Sequence, residues 1–104
     1  MLKDNVNKIH SELSSKYDVL VEECSDLKFG NFVKFSVTEN NKKLVIKITK
    51  RNLENNLFEW VYLSNPDDEN SIVERKSNVS DFLLDVSDIF NKNRFNTEYL
   101  KKIN

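Results

Sequence analysis

One glycine, one proline, one cysteine and one histidine in 104 residues remove several kinds of chemistry at the outset. A single glycine cannot build the flexible backbone loop that cradles a phosphate. With Cys24 alone, no internal disulfide forms, and a reducing, cytoplasmic location is the expectation. His10 and Cys24 together fall short of the four ligands that a structural zinc site takes. They are also a poor basis for a nucleophile and its base. No G-x-S-x-G or H-E-x-x-H motif occurs. No metal, no cofactor and no enzymatic activity are therefore expected. Long apolar runs are missing too. Nothing approaches the roughly 18 residues of a membrane span, so no membrane partner is expected. The opening Met1-Leu2-Lys3-Asp4-Asn5 lacks the apolar core of a secretory signal.

What is present fits one domain over residues 1–104. Hydrophobic residues make up 38% of the chain and charged residues 32%. The net charge of −1 hides an asymmetry along the chain. Residues 28–51 carry seven basic side chains against Glu39 alone, a balance of +6. Residues 52–91 carry nine acids against Arg75 and Lys76, a balance of −7. A charge separation of this kind steers charged partners; it does not determine a fold.

The periodicity predicts an α+β domain. Leu2, Val6, Ile9 and Leu13 recur at helical spacing. Tyr17, Val19 and Val21 alternate as a strand, with a turn expected at Ser25-Asp26. Val33, Phe35 and Val37 form the inner face of a second strand, and Gly30 marks a candidate bulge at its start. Asn40-Asn41 suits a tight hairpin into Leu44, Ile46 and Ile48. Leu57 to Leu63 is a fourth strand, apolar on both faces, so it either sits centrally in the sheet or is covered on both sides, with cover on both sides slightly favoured. Ser64 to Ser71 is a loop, and Ile72 to Lys76 is a candidate short edge strand. Asn78 caps a helix whose stripe is Val79, Phe82, Leu83, Val86, Ile89 and Phe90. A last short helix is expected around Phe95, Tyr99, Leu100 and Ile103. The expected layout is an N-terminal helix, an antiparallel sheet of about four strands in meander order, and two C-terminal helices.

Two surfaces are candidates for function. Phe58, Trp60 and Tyr62 share one strand face, with Lys34 and Lys47 on neighbouring strands; rings and cations of this kind bind single-stranded nucleic acid. Rings at that spacing are more often core, and a sequence pI near 5.8 argues against nucleic acid as the main partner. The second surface is acidic. Asp81, Asp85 and Asp88 fall at i, i+4 and i+7 on one helix face. Asp67, Asp68, Glu69 and Glu74 add charge nearby in sequence. The bland reading is a solvated helix exterior. The functional reading is an electronegative surface that docks on a basic protein cleft.

In size, acidity and α+β layout the whole chain resembles the small bacterial immunity proteins that neutralise toxins, including those of contact-dependent growth inhibition. The resemblance implies a monomeric cytoplasmic inhibitor. Its acids would cover the basic active site of a cognate toxin, such as a nuclease. A secretion chaperone or other adaptor is a second reading, marked by a stable dimer. A single-stranded nucleic-acid-binding module is a third.

Overall fold

The computed structural model describes residues 2–49 and 57–91, with side chains from residue 6 onward. The elements are α1 (Leu2–Ser14), β1 (Asp18–Asp26), β2 (Gly30–Glu39), β3 (Lys42–Thr49), β4 (Phe58–Leu63), β5 (Ile72–Ser77) and α2 (Val79–Asn91). The five strands form one antiparallel sheet whose spatial order follows the chain, β1-β2-β3-β4-β5. The expectation of about four strands thus falls one short, because Ile72–Ser77 is a full strand paired along all of β4. The helix expected around Phe95 to Ile103 lies outside the described residues.

Local chemistry explains the turns. Asn40 and Asn41 both take positive φ, 48° and 67°, as the two central residues of a type I′ hairpin require. The first hairpin turns later than Ser25-Asp26, because β1 runs on to Asp26 and pairs with Gly30. Leu27 to Phe29 make the turn, the Phe29 N–H donates to Asp26 Oδ1 at 2.6 Å, and Gly30 closes it at φ 65°. Glycine adopts that backbone without the Cβ penalty that most other residues meet.

The core lies on one sheet face. Val33, Phe35, Val37, Leu44, Ile46, Ile48, Phe58, Trp60 and Tyr62 are buried there against Ile9 and Leu13 of α1 and Phe82, Val86, Ile89 and Phe90 of α2. Both helices share this face, joined at their ends by Tyr17 stacked on Phe90 at 5.0 Å. Of the two readings of the doubly apolar Leu57 to Leu63, the central place in the sheet is the one observed, and the slightly favoured cover by helices on both sides is not. The observed reason for that pattern is position: β4 lies inside the sheet between β3 and β5, and its second face buries Leu63 while Glu59 stays exposed.

Trp60 anchors the packing. Its ring meets Phe82 edge-on at 4.8 Å, and its Nε1–H donates to the buried Ser77 Oγ at 2.9 Å. The indole thus buries its apolar body while its one donor is satisfied.

Candidate functional site

Helix α2 begins with a cap. Asn78 Oδ1 accepts the Asp81 N–H at 2.8 Å, and the Asn78 carbonyl accepts the Phe82 N–H at 2.9 Å. This fixes where the helix starts and hence which way each later side chain points. Phe82, Val86, Ile89 and Phe90 take the inner face. Asp81, Asp85 and Asp88 then fall along one flank, with Asp81 exposed and the other two half-buried. The helix has no basic residue over its whole length. Leu84 stands beside this row, three residues after Asp81 and four before Asp88, and is 68% exposed. Leu20, Leu27 and Leu57 are exposed as well, and what sets Leu84 apart is its place beside the acidic row.

The remaining candidate acids do not join that row. Glu74 pairs across β5 and β4 with Val61, which pairs with Lys47. That places it on the sheet face opposite the helices. Asp67, Asp68 and Glu69 lie in the loop between β4 and β5. Asp68 Oδ1 accepts the Asn70 N–H at 2.9 Å, so this carboxylate closes its own loop. Glu69 turns back over the sheet, and its Oε2 accepts from Lys47 Nζ at 2.6 Å. Of the seven acids, the structure gathers only Asp81, Asp85 and Asp88 on one element.

The helix-free face has its own arrangement. Lys47 was expected on the solvent side, yet it is 7% exposed. Its ammonium stands 5.4 Å from the ring centres of both Phe29 and Phe32, which face each other edge-on. The rings and Glu69 together replace the water that a lysine loses on burial. Beside it runs a groove of about 450 Å³, whose lining includes Phe29, Lys47, Thr49, Glu59, Val61 and Glu74.

Register also rearranges the charges. One row across this face reads Glu22, Lys34, Lys47, Val61, Glu74. Lys34 and Lys47 of the basic block lie on the inner strands β2 and β3, and Glu22 and Glu74 flank them in this row. Part of the asymmetry seen along the chain is thus offset by neighbours in register on this face.

Comparison with protein-family models, with curated proteins and with solved structures finds no match to this chain. The site must speak for itself. Phe58, Trp60 and Tyr62 are 1%, 1% and 2% exposed beneath α2, so these rings offer no platform for stacking bases. His10 is exposed on α1, and among the described residues no group of three or more His, Cys, Asp or Glu side chains gathers to hold a metal. No described helix is long and apolar enough to cross a membrane.

Sequence reasoning passed over Leu84. The available signal was its failure to fit the helical stripe: a leucine a quarter-turn beyond Leu83 has no core to enter. It also passed over the Lys47 cage, because a lysine alternating with isoleucines reads as an outward residue.

Proposed function

We propose that the chain is a protein-binding inhibitor of the immunity type, which neutralises a toxin by laying α2 into a basic cleft. The observation that carries this reading is Asp81, Asp85 and Asp88 flanking the exposed Leu84 on a helix without a single base. The carboxylates attract and orient the partner from a distance, where the field of several like charges adds. Leu84 then supplies the short-range contact, since an exposed leucine gains about 1.5–3 kcal/mol on full burial. Charge at the rim acts mainly on the association rate, and the apolar anchor acts mainly on dissociation. No bond is made or broken by the chain in this role.

The test is capture of a partner from the native host by the full chain, followed by growth rescue and binding kinetics with the toxin so found. Co-expression should restore growth of cells making the toxin. Replacing Asp81, Asp85 and Asp88 together by Asn should slow association by about tenfold at low salt and flatten its salt dependence. Leu84→Ala should speed dissociation with little change in association. Wild-type association rates in the triple variant would remove α2 as the surface. A wild-type chain that neither binds nor protects would remove the inhibitor reading itself.

A further inference from the structure

The two outer strands of the sheet are unlike each other. β5 has six residues, carries Glu74, Arg75 and Lys76 of both signs, and passes through Asn78 directly into α2. β1 has nine residues, carries Asp18, Glu22, Glu23 and Asp26 without one base, and among the described residues has no strand on its outer side. A long outer strand is a ready template for pairing, and soluble proteins usually keep such edges short or block them.

The side chains of β1 on the helix-free face are Asp18, Leu20, Glu22, Cys24 and Asp26. Leu20 is 59% exposed between Asp18 and Glu22, which are both exposed. Lys34 lies across from Glu22 and takes up part of its charge, whereas Asp18 faces only Thr38. A shallow groove of about 420 Å³ lies on the helix-free face inward of this edge, lined by Asp18, Leu20, Glu22, Lys34, Ser36 and Lys43 among others.

We propose that β1 is a docking edge that accepts an extended peptide segment as a sixth strand, with two basic residues four apart and an apolar residue midway between them on the same face. Main-chain hydrogen bonds to the open edge supply affinity, and alternate side chains supply selectivity. Residues of the incoming strand opposite Asp18 and Glu22 are then lysine or arginine, and the residue between them covers Leu20. A second copy of this chain fits badly. Antiparallel pairing of two β1 strands centred on Glu22 sets Glu22 against Glu22 and Asp18 against Asp26. Like charges directly opposite each other oppose pairing. In that register the acids oppose self-association, and they favour a basic strand. This edge is separate from α2, and its test needs no toxin.

The probe is a peptide matching β1 in length, with lysines four residues apart and a valine midway between them, titrated into the full chain and followed by amide hydrogen exchange. Binding should slow exchange in β1 and leave β5 unchanged. N-methylation of alternate peptide residues removes the edge hydrogen bonds without changing charge, and should abolish binding. Asp18→Lys with Glu22→Lys, both on exposed positions that spare the core, should weaken binding about tenfold. Three results would overturn the proposal. One is equal binding by the N-methylated peptide, which makes the contact electrostatic only. Another is protection appearing on α2 instead of β1. The third is a concentration-dependent dimer in ultracentrifugation that Leu20→Lys abolishes.

Discussion

The sheet has two faces that share every strand and almost no chemistry. Toward the helices, Val33, Phe35, Val37, Leu44, Ile46, Ile48, Phe58, Trp60 and Tyr62 are buried. On the other side the row from Glu22 to Glu74 mixes acids, lysines and a valine, and its buried lysine is held by two rings and one carboxylate. The first face is stabilised by area removed from water, which is large and insensitive to partner choice. The second depends on geometry and on charges that screen one another. Stability should therefore respond strongly to changes on one face and weakly to changes on the other.

The sharpest test of that contrast is Trp60→Ala. It removes a fully buried ring against Phe82 and should cost about 3–5 kcal/mol, read as a lowered urea midpoint. A loss below about 1 kcal/mol would mean that the two faces are not so different. Ser77→Ala is next. It leaves the Trp60 N–H buried without an acceptor and should cost about 1–3 kcal/mol. Gly30→Ala follows at about 1 kcal/mol, because an L-residue resists φ near +65°. A new Cβ there meets nothing within 4 Å, so crowding adds nothing. On the charged face, Lys47→Met removes a buried charge while keeping its length between Phe29 and Phe32. Thermal unfolding should show a change within about 1 kcal/mol in either direction. Glu69 is 68% exposed, so its side of the pair is screened, and Glu69→Gln should cost no more than about 1 kcal/mol.

These same two faces explain what the sequence made legible. Strands that pack against helices alternate cleanly, so Val33/Phe35/Val37, Leu44/Ile46/Ile48 and the α2 stripe were readable with their orientations. The Asn40-Asn41 turn was readable because two positive φ values favour that residue type. The extent of β1 was not. From Glu22 to Asp26 an outer strand needs no buried side chain, so its second half reads as a turn. The burial of Lys47 was hidden for a different reason. It depends on Phe29, Phe32 and Glu69 arriving from two loops and another strand, and local pattern does not encode that meeting. The acidic candidates divided for the same reason. Neighbours in sequence such as Glu69, Glu74 and Asp81 sit on a loop, on one sheet face and on a helix over the other face. Helical spacing kept Asp81, Asp85 and Asp88 together, since that relation is local.

The order of the strands bears on how the chain folds. Each strand lies beside its predecessor, so every sheet pairing closes a short stretch of chain, and short closures lose little entropy. The hairpin at Asn40-Asn41 needs only its own two turn residues and is the natural place to start. The contact of Tyr17 with Phe90 is the opposite case, since it brings together residues more than half the described chain apart. The helical layer is thus closed last. A weakened Tyr17 should chiefly hasten unfolding, while a stiffer or looser Asn40-Asn41 turn should change the speed of folding itself.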